Sequence, residues 1–111
     1  MLMKNVTLGE LELAALLSVV RLGVESYGAS VRRDLSERAD RDYSVGGIYT
    51  TLQRLEDKGL VVSSMTEPTA IRGGRARRRF RITRAGEAAI RHARELRNAY
   101  WKGVPLKMRP A

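Results

Sequence analysis

The chain has 111 residues, with 21 Lys and Arg against 12 Asp and Glu, a formal charge of +9 and a sequence pI near 10.8. That length supports one modest core, and the charge favours a polyanionic partner, either nucleic acid or an acidic membrane surface. With no cysteine there is no disulfide, thiolate zinc site or thiol chemistry. The longest apolar stretch, Leu11 to Val20, is broken by Glu12 and too short to span a bilayer, and Glu10 and Glu12 interrupt any signal-peptide pattern after Lys4. The expectation is a soluble cytoplasmic protein with no membrane partner.

Thr7-Leu8-Gly9-Glu10 has the spacing of a capping box, in which the Thr7 hydroxyl and Glu10 carboxylate satisfy amides at a helix start. The helix should run to about Leu22 and stop at Gly23. Its apolar positions go almost all the way round, whereas a monomer's surface helix needs a single stripe. One face, with Leu8, Leu11 and Ala15, is therefore assigned to a partner. A second helix is predicted from Tyr27 to Ala39, with Ser26 as N-cap, Val31 and Leu35 inward, and Arg32, Arg33, Asp34 and Glu37 in water. Asp40-Arg41-Asp42 makes the turn.

Ser44 then caps a third helix that ends at Lys58-Gly59. Ile48, Leu52 and Leu55 form its inner stripe. The outer face carries Gly47, Thr50, Thr51, Arg54 and Lys58, with Tyr49 and Gln53 at the margin. Leu60 to Thr66 alternates with the period of a strand. Glu67 to Ala76 holds Pro68 and Gly73-Gly74 and reads as a loop. Arg77 to Thr83 returns as a strand, with Arg78, Phe80 and Ile82 on one face and Arg77, Arg79 and Arg81 on the other.

A last helix is predicted from Thr83 to about Lys102, ended by Gly103 and Pro105. Gly86, Ala89, Ala93, Leu96 and Tyr100 alternate spacings of three and four, the seam of a helix pair. The fold class is α+β, mainly α. It consists of a winged helix-turn-helix over residues 1–83, a dimerisation helix over 84–103 and a flexible tail over 104–111.

Seven arginines and no acid lie between Arg72 and Arg84. A helix-turn-helix followed by a basic hairpin places one helix in the major groove of double-stranded DNA, with the wing on phosphates or in a narrow minor groove. The candidate DNA-binding residues are Ser44, Gly47, Tyr49, Thr50, Thr51 and Arg54 on the helix. On the wing they are Arg72, Gly73, Gly74, Arg75, Arg77 and Arg78. Arg72-Gly73-Gly74-Arg75 is also similar to pieces of disordered RNA-binding segments, but the strand immediately after it favours a wing.

Residues 8 to 86 resemble the PadR family of bacterial transcriptional regulators. The resemblance rests on LGELELAALLSVVRLG, YGASVRRDL, VGGIYTTLQRLEDKGLV and RGGRARRRFRITRAG. It implies a winged-helix dimer that represses its target until a signal releases it. It also implies DNA-backbone contacts by Tyr49, Arg75, Arg77 and Arg78, and dimerisation through the first and last helices. The single C-terminal helix is similar to that of the small subfamily, in which some members stack flat aromatic drugs on a tryptophan between subunits. Here Trp101 falls about one turn beyond that position and Arg97 lies nearer it. Thr50 replaces a proline common in the recognition helix.

A homodimer is therefore expected through Leu8, Leu11 and Ala15 together with Ala89, Ala93, Leu96 and Tyr100. A small aromatic effector would sit at Arg97, Tyr100 and Trp101. His92 stands alone and reads as a surface residue, and no metal site can be built around it. No nucleophile with a base and no paired acid set is visible, so neither an enzyme nor a cofactor is expected. The alternative to a sequence-specific repressor is a non-specific architectural DNA- or RNA-binding protein.

Overall fold

A computed structural model describes residues 7–66 and 76–106. The elements are α1 (Glu10–Leu22), a short 3-10 turn (Gly23–Glu25), α2 (Gly28–Ala39), α3 (Val45–Asp57), β1 (Val61–Met65), β2 (Arg78–Ile82) and α4 (Arg84–Trp101). The strands form a two-stranded antiparallel sheet in which Val61 faces Ile82, Ser63 faces Phe80 and Met65 faces Arg78. The inner row of that register seats Phe80 and Val61, each 1% exposed, on Leu16, Val31, Ile48, Leu52 and Leu55. Burying each of these side chains contributes about 1.5–3 kcal/mol.

The start of α1 differs from the expected capping box. Gly9 is the N-cap, and the Glu12 carboxylate accepts from its amide at 2.9 Å. Thr7 is exposed while Leu8 is buried, so the chain enters extended across the core and the helix begins only at Glu10. Glu12 is also held by Lys58 at 2.7 Å, which fastens the end of α3 to the start of α1. Burial alone would raise the Glu12 carboxyl, but the bonds from Lys58 and the Gly9 amide outweigh it and hold the group below its ordinary value.

Tyr27, not Ser26, is the N-cap of α2. The reason lies in the wing: the Phe80 amide donates to the Ser26 carbonyl at 2.8 Å, and Tyr27 forms a bridge with Arg79. Ser26 is thereby spent as a third strand edge and is fully buried. Asp34 does not stand in water either. Arg21 of α1 grips its carboxylate through Nε at 3.2 Å, and Arg38 bonds it at 2.9 Å. Burial would raise the Asp34 carboxyl, yet these guanidinium bonds lower it from 3.8 to about 2. Asp40 ends α2 in the left-handed region at φ 51°, and Ser36 accepts from the Tyr43 amide at 3.2 Å to shape the turn into α3.

Thr83 caps α4 by accepting from the Gly86 amide at 3.0 Å, while its hydroxyl donates to the Gly59 carbonyl at 2.7 Å. Gly86 lies against the backbone: a Cβ there would stand 2.2 Å from the Leu60 carbonyl oxygen. The expected seam of α4 is therefore divided. Gly86, Ala89 and Ala93 pack inside their own chain, Leu96 is half-buried, and Tyr100 is 69% exposed. Leu8, Ala15, Ala89 and Ala93 all belong to the chain's own core and are unavailable to a second copy. A spacing of three and four selects a helix face but not its partner.

Candidate nucleic-acid interface

The inner stripe of α3 is as the periodicity requires: Ile48, Leu52 and Leu55 are fully buried. Ser44 caps the helix, its hydroxyl accepting from the Gly47 amide at 3.0 Å. A Cβ at Gly47 would stand 2.9 Å from that hydroxyl oxygen, so Gly47 preserves the cap. Thr51 is not on the outer face. It is 5% exposed and donates to the Gly47 carbonyl at 2.9 Å. Thr51 lies three residues after Ile48 and four before Leu55, which places it in their row. The outward arc comprises Val45, Gly46, Gly47, Tyr49, Thr50, Gln53 and Arg54, with Asp57 at its far end.

Tyr49 is positioned by a glycine one helix away. Its ring lies over Gly28, where a Cβ would stand 2.3 Å from the ring. Only glycine at the start of α2 permits this, and it leaves Tyr49 41% exposed beside Thr50.

The wing arginines divide by face. Arg77 is exposed; its backbone pairs with Thr66 at 2.7 and 2.9 Å, and its guanidinium lies 3.8 Å from the centroid of the Tyr27 ring. Arg79 meets the same tyrosine, bonding its hydroxyl at 3.3 Å. Tyr27 is thus a positioning residue that the sequence reading passed over. The tyrosine-glycine pair at 27–28 was visible, but the 52-residue separation from Arg79 hid its purpose. Arg78, expected on the DNA backbone, turns inward instead. It pairs with Glu56 of α3, donates to Ser63 at 2.9 Å and reaches Gln53 at 3.2 Å. Lys58 is likewise committed to Glu12. Arg72, Gly73, Gly74 and Arg75 lie outside the described residues.

At the other end of the molecule, Arg97 bonds Glu10 at 2.8 Å and the Ala93 carbonyl at 3.4 Å. With Tyr100, Leu8, His92 and Leu96 it lines a shallow groove of about 240 Å³. His92 is half-buried there, on the wall of the groove. Trp101, 52% exposed, is not among the lining residues. It sits one residue beyond Tyr100, hence about 100° further round the helix. Among the described residues no group of three or more His, Cys, Asp or Glu could hold a metal ion, and no helix is long and apolar enough to cross a membrane.

A model of the transcriptional regulator PadR-like family matches residues 16–92, from the middle of α1 to the middle of α4. The chain belongs to the PadR-like family of transcriptional regulators. Transcriptional regulator Rv3488 of Mycobacterium tuberculosis is 44% identical over 66 residues, or 60% of this chain. The match spans 57% of that relative's own length. A PadR family transcriptional regulator from Eggerthella lenta superposes with a TM-score of 0.65 at 24% identity, covering 85% of this chain and 83% of the other. RosR of H. salinarum gives 0.66 at 24% identity over 90% and 83%. These likenesses establish the winged-helix fold, and the family is one of regulators rather than enzymes.

Proposed function

We propose that this PadR-like chain is a sequence-specific repressor that binds double-stranded DNA as a homodimer on an inverted repeat. The observation that carries the reading is the pairing of two surfaces. The outer face of α3 is small and uncharged over its first half, and Arg77, at the loop end of the second wing strand, is exposed over the ring of Tyr27, which directly precedes the Gly28 that seats Tyr49. Such a helix face fits the major groove, and the arginine supplies phosphate affinity without sequence choice. The carboxylates of α3, Glu56 and Asp57, lie at its far end, away from the approach.

In this reading residues 1–83 bind DNA, the helix over 84–103 joins two copies, 104–111 form a tail, and the protein works in the cytoplasm. The apolar groups these two helices leave for a partner include Leu17 and Val20 of α1, at 38% and 52% exposure, together with Leu96, Tyr100 and Trp101 of α4. A planar aromatic effector, if anionic, would enter at Tyr100 and displace Glu10 from Arg97. It would change operator affinity only by its differential affinity for two subunit arrangements.

Selection of bound fragments from random duplex DNA tests the reading. The expected product is an inverted repeat with half-site centres roughly 34–36 Å apart. Smooth protection of any duplex would replace the repressor with an architectural protein. Titration of planar aromatic acids, followed by Tyr100→Ala, tests the effector.

A further inference from the structure

Gly46 stands at the centre of the outward arc of α3. An added Cβ would find no described residue within 4 Å. Its backbone is helical, with no positive φ. Neither packing nor conformation therefore requires glycine, while glycine inside a helix is less favourable than alanine by about 1 kcal/mol. The space above residue 46 is open.

The groups around that space are specific. Val45, at the first position of α3, is a β-branched apolar side chain left 54% exposed. Thr50, four residues after Gly46, is exposed and carries a methyl group. The polar side chains Gln53 and Arg54 stand further along the helix. Gln53 donates through its amide nitrogen to Asp57 at 2.9 Å and accepts from Arg78 at 3.2 Å, so its two ends are not jointly available to an adenine edge. Arg54, two turns beyond Gly46, is exposed and too far along the helix to meet the same base pair. What remains beside the open backbone is two sets of methyl groups. In the major groove a methyl group marks thymine alone.

We infer that α3 enters the major groove by its amino-terminal turn, with the Gly46 backbone against the base pairs and Val45 and Thr50 reading thymine 5-methyl groups. This rests on the DNA-binding reading above and adds base identity to it. Each half-site then contains at least one thymine recognised by contact with its methyl group. Gly46 gives up some helix stability to allow the approach.

The test uses the full chain and a site recovered from random duplex DNA. Each thymine is replaced in turn by deoxyuridine, which removes the methyl and keeps the pairing. At one or two positions per half-site the wild type should bind about three- to fivefold more weakly. With Val45→Ala or Thr50→Ser, thymine and uracil at the corresponding position should bind alike. Gly46→Ala should raise Tm by roughly 2–6 °C while weakening binding at least tenfold. Unchanged binding by every uracil-substituted site would overturn the methyl readout and leave a site-specific repressor intact. Unchanged or tighter binding by a stabilised Gly46→Ala would overturn the close approach. Failure to recover any discrete site would remove the repressor reading and this inference together.

Discussion

Arg77 and Arg78 are neighbours in the chain and opposites in the fold. Arg78 points to α3, where Glu56 and Gln53 take up its donors together with Ser63 of β1. Arg77 points away and rests its guanidinium on the Tyr27 ring, exposed to whatever meets the wing. One face of the strand thus uses its cation to join the wing to α3, and the other leaves its cation exposed, where the proposed function employs it. A run of arginine is therefore not a uniform source of DNA affinity, since the two-residue period of the strand divides it between folding and binding.

The largest effect that would break this contrast is on stability. Arg78→Ala leaves the Glu56 carboxylate half-buried with only Ser63 as partner. An ion pair about a third exposed, with further bonds from Arg78 to Ser63 and Gln53, contributes about 1–1.5 kcal/mol after screening, so Tm should fall by roughly 4–8 °C. The salt slope of DNA binding should stay near its wild-type value. A loss of about one unit in that slope with no change in Tm would return Arg78 to the DNA.

The parts of this arrangement that were legible in the sequence are the local ones. The Ser44 cap, the 48-52-55 stripe and the alternation of Arg77 to Ile82 follow from neighbours a few residues apart, and the structure places them accordingly. Thr51 was misplaced because an inward hydroxyl bonded to the Gly47 carbonyl has the same letter as an outward one. Asp34 with Arg21, Glu12 with Lys58, and Glu56 with Arg78 could not be read, since each joins two elements whose docking periodicity does not specify. The alanines of α4 show the same gap: their spacing names a packed face, and only the fold shows that Leu8 and Ala15 already fill it.

A second inward charge extends the comparison to acid. The Asp34 carboxyl is held at about 2, below its ordinary 3.8, by Arg21 and Arg38. A group lowered in this way adds stability that is fully present above about pH 5 and is lost as pH falls toward 2. Screening at the surface reduces the linkage to about 1 kcal/mol. Asp34→Asn should be less stable at neutral pH by that amount, and its stability curve between pH 5 and 2 should lie closer to flat. An unchanged acid limb would show that Asp34 is not the group that titrates.

On the outward side, Arg77→Ala should leave Tm within a few degrees, because the charge faces solvent. Its signature is electrostatic: the slope of log K against log salt should flatten by about 0.9, equally for selected and random duplexes. Tyr27 separates position from charge. Tyr27→Phe keeps the ring under Arg77 and removes only the hydroxyl that Arg79 reaches at 3.3 Å, so DNA affinity should hold. Tyr27→Leu removes the aromatic face, and a guanidinium over such a face is worth about 0.5–1 kcal/mol at an exposed site. Arg77 would then have to be ordered at the moment of binding. Affinity should fall two- to fivefold with the salt slope unchanged, because the charge itself remains. The cost of Tyr27→Leu should vanish in an Arg77→Ala background, since the ring would then have nothing to orient. If the two costs simply add, Tyr27 serves α2 and the core alone, and the outward face of the wing is no better ordered than any solvated arginine.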